Sequence, residues 1–288
     1  MDYMTVNNDI YIKKDKLDIE KTALSGQVFR YFKNDGGGYT LLSKGYAADC
    51  RFCTAADGAD KGDFVKLSTN NSEYFINYFD LAENYDIIES KYSDNAVISA
   101  AAAYAKGMRM LRQDPFETLI SFIISANNNI PRIRMIIERL CSAAGRDIDG
   151  KNYKAFPSAS DMKDLGEDFF EKIGAGYRAA YLRSTIGAVN DGFDLSKPFR
   201  LDTPSAREYL LGLKGVGPKV ADCILLFAYG KRDVFPVDTW IKKSVKEFFG
   251  IDCPDAKKIS RSLVALFGDD SGIIQQYIYY YARGKTLS

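Results

Sequence analysis

Residues 203–230 read TPSAREYLLGLKGVGPKVADCILLFAYG. The spacing predicts two helices: a capped one, a break at LKGVG, and a second opened by Pro218 and closed by Gly230. This is a helix-hairpin-helix. Gly215 and Gly217 allow a tight turn and expose successive N–H groups at a helix N-terminus, a fixed positive patch that suits one phosphate of a nucleic acid backbone. A purely structural turn between two helices accounts for the glycines equally well. Lys219 falls in the first turn of the second helix. The helix dipole disfavours a cation there, so its amine is expected to lose its proton more readily than a free lysine and to serve as a nucleophile. Cys223, four residues on, shares that helix face, while Asp222 reads as a solvent or capping residue.

The following stretch, RDVFPVDTWIKKSVKEFFG, places Asp238 after Pro236 and at the start of another amphipathic helix. Asp238 is an N-cap by position, and the apolar FPV before it predicts an acid in a partly buried turn. Beside an activated lysine, such an acid could stabilise positive charge developing on a sugar. Upstream, Asp114 and Pro115 cap FETLISFIISA, apolar on nearly every side and so expected to be the buried central helix. It ends at Asn127, Asn128 and Asn129, which can cap the helix or present amide edges to a base.

From about Asp94 onward the chain is periodic and helical. Before it, turn-rich segments (NDGGG at 34–38, AADGADKGD at 55–63, TNNS at 69–72) separate aromatic and β-branched runs. The expected fold class is α+β: residues 1–94 form a small antiparallel sheet domain, packed on a mainly helical region over residues 95–288. No Gly/Ser or Pro-rich linker separates them.

Composition excludes more than it assigns. Lys plus Arg, 39, nearly balance Asp plus Glu, 38, so any DNA contact must come from a local face. The chain has no histidine, which rules out Ser-His-Asp and Cys-His catalysis and leaves proton transfer to Asp, Glu, Lys, Tyr or Cys. The five cysteines are scattered, as expected of reduced thiols. The Cys50/Cys53 pair lacks the second pair a zinc site would need. No signal peptide or membrane-length apolar run is visible, which gives a cytoplasmic monomer as the expectation.

GVGPKVADC at 215–223, followed by PVD, resembles the helix-hairpin-helix/Gly-Pro-Asp motif of DNA glycosylases. SGQVFRYF at 25–32, MRMLRQDPFETLISFIISANNNIPRI at 108–133 and GAGYRAAYL at 174–182 resemble, more narrowly, the eukaryotic-type 8-oxoguanine DNA glycosylases. The resemblance spans most of the chain in order, and short loops imply a compact prokaryotic member. It implies that Lys219 attacks C1′ of the damaged nucleotide and leaves a Schiff base whose β-elimination nicks the strand, with Asp238 supporting that step electrostatically. The Gly26 carbonyl would accept the N7 hydrogen that distinguishes 8-oxoguanine from guanine. Cys223 would wall the lesion pocket, Gln275 would hold the base edge, and Tyr279, where the family usually has phenylalanine, would lie on the base face. Asn127 would fill the gap left by the flipped base, Tyr177 would wedge beside the orphaned cytosine, and Arg132 with Arg178 would donate to it. Gly215 and Gly217 would grip a phosphate, aided by Trp240 where the family usually has histidine. The partner implied is double-stranded DNA containing 8-oxoguanine. No cofactor is implied: the iron–sulfur cluster of related glycosylases has no counterpart, as only Cys253 follows the motif, though main-chain carbonyls of Leu211, Leu213 and Val216 could hold a structural cation. Three other readings remain: a monofunctional glycosylase for alkylated bases, a non-catalytic DNA clamp, and an unrelated α+β protein with an accidental hairpin.

Overall fold

A computed structural model describes residues 3–35, 37–53 and 64–287. The AADGADKGD turn lies outside these. Strands β1 (Tyr3–Val6), β2 (Asp9–Lys13), β3 (Tyr31–Lys33), β4 (Tyr39–Ser43), β5 (Tyr46–Phe52) and β6 (Phe64–Thr69) form one antiparallel sheet ordered β1-β2-β6-β5-β4-β3. Alternation sets its register: Ile10 pairs with Leu67 and Ile12 with Val65, and all four are buried. Three short helices, α1 (Ile19–Leu24), α2 (Ser72–Tyr78) and α3 (Asp86–Lys91), accompany the sheet.

The remainder is helical: α4 (Ala96–Tyr104), α5 (Pro115–Ser125), α6 (Ile130–Ala144), α7 (Glu167–Lys172), α8 (Arg178–Asn190), α9 (Lys197–Arg200), α10 (Thr203–Leu211), α11 (Pro218–Tyr229), α12 (Thr239–Phe249), α13 (Ala256–Phe267) and α14 (Ser271–Leu287). Asp114 caps α5, accepting from the Phe116 and Glu117 N–H groups at 3.0 and 2.9 Å, and every residue from Glu117 to Ile124 is buried. This is the expected central helix. It packs against α11, where Phe122 stacks on Phe227 with centroids 5.5 Å apart.

Polar joints fasten sheet to helices. The buried Arg30 donates to Glu138 at 3.0 Å and to the Lys154 carbonyl at 2.6 Å. Arg134 donates to the Phe29 carbonyl at 3.2 Å and to that of Tyr31, with its guanidinium 3.9 Å from the Tyr31 ring centroid. Glu117, on α5, accepts from the Lys44 N–H at 3.0 Å in the turn between β4 and β5.

Burial pushes the Glu117 carboxyl up to about 7, with Arg30 and the Lys44 N–H offsetting it in part. A carboxyl with a folded pKa above its unfolded value stabilises the fold when protonated, so its contribution declines as pH rises from about 4.5 through about 7. Thermal melts of the native protein should therefore lose on the order of 2–3 kcal/mol between pH 5 and pH 8 through this group. Glu117→Gln, neutral throughout and still able to accept from Lys44, should flatten that part of the profile. An unchanged profile in the variant would show that Glu117 does not titrate in this range.

Candidate active site

The hairpin forms where the sequence places it. Gly217 caps α11, Pro218 opens it, and Gly230 ends it in the left-handed region at φ +65°. Gly215 has φ +84°, and a Cβ there would lie 2.8 Å from Tyr181 Cβ, so only glycine fits against α8. Thr185, also on α8, donates to the Lys214 carbonyl at 2.8 Å and pins the turn. Asp222 departs from expectation: it is 5 % exposed and accepts from Arg207 Nε at 2.6 Å. Its place between α10 and α11 buries it, and the ion pair that compensates the burial ties the two hairpin helices together.

One small pocket collects Gly26, Lys219, Cys223, Asp238, Gln275 and Tyr279, residues spread over 250 positions of sequence. About 340 Å³ of space, part of it open to solvent, lies between them. Phe122, Phe227, Pro236 and Gln276 complete the walls. The sequence gives no sign of Phe122 and Phe227 as wall residues, because a helix apolar all round does not declare which of its faces meets a ligand. The Lys219 ammonium lies 5.4 Å from the Phe122 ring centroid. Asp238 caps α12, accepting from the Ile241 N–H at 2.8 Å, and is partly buried as its apolar approach predicts.

Lys219 overturns the expectation of a weakly held proton. Burial by itself loosens that proton, but Cys223, Asp238 and Tyr279 together outweigh it and raise the amine above lysine's ordinary value. Burial pushes the Cys223 thiol up to about 11, against the pull of Lys219, and raises the Tyr279 phenol as well.

Gly26 reaches the pocket because its neighbours are fixed. Gln27, fully buried, donates to the Arg109 carbonyl and accepts from the Leu111 N–H, both at 2.8 Å, while Gln113 donates to the Gln27 carbonyl at 2.7 Å. From α14, Gln276 donates to the Ser25 carbonyl at 2.8 Å. The adjacent Gln275 is 4 % exposed, and its Oε1 has no hydrogen-bond partner.

A second cluster joins the turn after α5 to the turn before α8. Asn127 is exposed with φ +49°, Asn128 Nδ2 caps the Ile124 carbonyl at 3.1 Å, and Asn129 caps α6 by accepting from the Arg132 N–H at 3.0 Å. Asn128 and Asn129 thus serve as caps, and Asn127 is left facing outward. Arg132 is exposed, with one bond to the Gly174 carbonyl at 3.1 Å. Tyr177 is 56 % exposed and donates to the Ala126 carbonyl at 3.2 Å. Arg178 is not presented alongside Arg132: it is 4 % exposed and donates to the carbonyls of Ala126, Asn127 and Ala175. A helix start facing a turn rich in free carbonyls draws the guanidinium inward. Trp240, 40 % exposed, stands in the first turn of α12 near Asp238. Leu213 and Val216 are buried in the hairpin turn, where the Leu213 carbonyl accepts the Val216 N–H at 3.2 Å and keeps a second lone pair; Leu211 is the last residue of α10. Among the described residues, no group of three or more Cys, Asp or Glu side chains could hold a metal ion, and no helix is long and apolar enough to cross a membrane.

Residues 120–268 match the HhH-GPD superfamily base excision DNA repair protein model, and residues 9–119 match the 8-oxoguanine DNA glycosylase, N-terminal domain model. The chain is 34% identical over 283 residues to an N-glycosylase/DNA lyase OGG1 of Arabidopsis thaliana, covering 92% of this chain and 77% of that one. Its structure superposes with a TM-score of 0.89 and 33% identity on a Clostridium acetobutylicum 8-oxoguanine glycosylase/lyase bound to double-stranded DNA with cytosine opposite 8-oxoG, covering 99% and 100% of the two chains. A 3-methyladenine DNA glycosylase from Archaeoglobus fulgidus shares the fold at TM-score 0.75 and 17% identity, covering 96% and 99%. The sheet half and the hairpin half each carry their own match, and together they place this chain in the HhH-GPD superfamily of base excision DNA repair proteins, in the branch that bears the 8-oxoguanine DNA glycosylase N-terminal domain.

Proposed function

We propose that the protein excises 8-oxoguanine from duplex DNA, preferentially opposite cytosine, and then nicks the strand through a lysine Schiff base. The observation that carries this reading is one pocket lined by a partly buried lysine and carboxylate, by Gly26 and by a buried glutamine oxygen without a partner. An unpartnered buried acceptor costs about 1–3 kcal/mol, which a donor on the base edge would recover. N7 of guanine is an acceptor, whereas N7 of 8-oxoguanine carries a hydrogen. A carbonyl at Gly26 therefore attracts the lesion and repels the normal base.

The base must leave the stack to enter, and Asn127 would occupy the space it vacates. Lys219 Nζ forms a bond to C1′ as the bond from C1′ to N9 breaks, and the departing base takes the electron pair. The ammonium must shed a proton before it attacks, and the base must gain one as it leaves, so the two requirements balance. Asp238 steadies the positive charge that moves from the amine to the sugar. The C1′–O4′ bond of the resulting aminal then opens, O4′ taking the electron pair and a proton, which leaves an iminium at C1′; the iminium acidifies the C2′ hydrogen, whose loss expels the 3′ phosphate, and water releases the lysine. The Gly215–Gly217 turn and Trp240 would hold the backbone. Carbonyls of Leu211, Leu213 and Val216 would hold a structural cation, and no chemistry requires it. We also propose that the protein works without an iron–sulfur cluster and as a monomer.

Lys219→Gln should lower excision by at least roughly 10³-fold while the affinity for a lesion duplex stays within about tenfold; full excision in that variant would remove Lys219 as the nucleophile. Arg132→Ala should reduce the preference for cytosine over adenine opposite the lesion by roughly tenfold, the worth of one good base contact. An unchanged preference would show that Arg132 does not read the partner base.

A further inference from the structure

Gly26 adopts φ +83°, and on the side where another residue would carry Cβ it faces Tyr279 and Arg283. A carbon there would lie 3.1 Å from Tyr279 Cε1, 3.4 Å from its hydroxyl oxygen and 3.5 Å from Arg283 Nη1. Tyr279 and Arg283 are four residues apart on α14 and so share one face. The guanidinium carbon is 5.4 Å from the Tyr279 ring centroid, and its charge offsets part of the burial that raises the Tyr279 phenol. A phenyl ring at this position would need no polar neighbour. A phenol on the wall of a partly buried pocket does need one, and Arg283 stands beside it.

We propose that Arg283 is a positioning residue for base recognition: it holds the Tyr279 ring against the Gly26 backbone and so fixes the width of the slot that receives the oxidised base. The inference rests on reading this pocket as the lesion pocket. Discrimination at Gly26 depends on one hydrogen bond, whose strength falls steeply with distance and angle. A ring free to swing would let the base tilt away from the Gly26 carbonyl. An abasic sugar has no base to place, so the nicking of a preformed abasic site should depend on this contact far less than excision does.

The test compares single-turnover excision from a duplex with 8-oxoguanine opposite cytosine and nicking of a duplex with an abasic site opposite cytosine. It uses the full-length native protein, Arg283→Ala, Arg283→Lys, Tyr279→Phe and the Arg283→Ala/Tyr279→Phe double variant. Arg283→Ala should lower the ratio of excision to nicking about tenfold, mainly by raising the enzyme concentration needed for half-maximal excision. Arg283→Lys should recover part of the loss. The nearly isosteric Tyr279→Phe should reproduce it, and the double variant should be no worse than either single, since both remove the same contact. Equal losses on both duplexes would mean that Arg283 only stabilises the fold, and a native ratio in Tyr279→Phe would overturn the proposal. A native protein that nicks abasic DNA but leaves 8-oxoguanine in place would instead overturn the lesion reading on which it rests.

Discussion

The fully buried Gln27 side chain is bonded to the main chain of residues 109 and 111, while Gln113 and Gln276 hold the carbonyls on either side of Gly26. Without that joint a glycine near the sheet and a lysine on the hairpin would have no fixed relation. Such a network is strong only when every member is satisfied, and here the segment around Gly26 meets that condition. The neighbouring Arg109 extends it, donating to the Phe79 and Glu83 carbonyls and lying 4.3 Å from the Tyr85 ring centroid. In the proposed reaction, recognition would thereby rest on fixed backbone, and the Lys219 amine would be the group whose charge must change.

The chemistry of that amine follows from its surroundings. Burial loosens the Lys219 proton, while Cys223, Asp238 and Tyr279 together hold it above lysine's ordinary value. In the proposed reaction the amine would have to shed that proton before it attacks, a step that the entry of a base and the loss of water would favour. The turn at residues 126–129 is likewise set in advance. Arg178 spends its hydrogen bonds on the carbonyls of that turn and holds Asn127 outward, so the guanidinium acts first as a brace within the protein.

Local chemistry was legible where a residue type has one use. Asp114 before Pro115, Gly217 before Pro218, and Gly230 in the left-handed region mark helix ends in the sequence and in the structure alike. Turn-rich segments marked the first part of the chain as a sheet without placing its individual strands, and the ordered motifs brought Lys219 and Asp238 to attention. What the sequence did not disclose depends on contacts between distant segments. Asp222 looked solvated until Arg207 was seen to cover it, and the Lys219 proton looked loose because a helix dipole can be read locally while a carboxylate nineteen positions away cannot. Arg178 and Arg132 are alike in one dimension, yet one is buried under carbonyls and the other exposed. Arg283 gave no signal, since its role depends on the hydroxyl of a tyrosine one helical turn before it.

The central claim is covalent chemistry at one lysine on one lesion, and borohydride trapping tests it directly. The native protein is incubated with duplexes carrying 8-oxoguanine, an alkylated purine or no lesion, reduced, digested and mapped by mass spectrometry. An adduct on the 8-oxoguanine duplex alone, attached at Lys219, is the expected result. No adduct with that duplex, together with free base released from the alkylated one, would contradict it and indicate hydrolysis by water activated at Asp238.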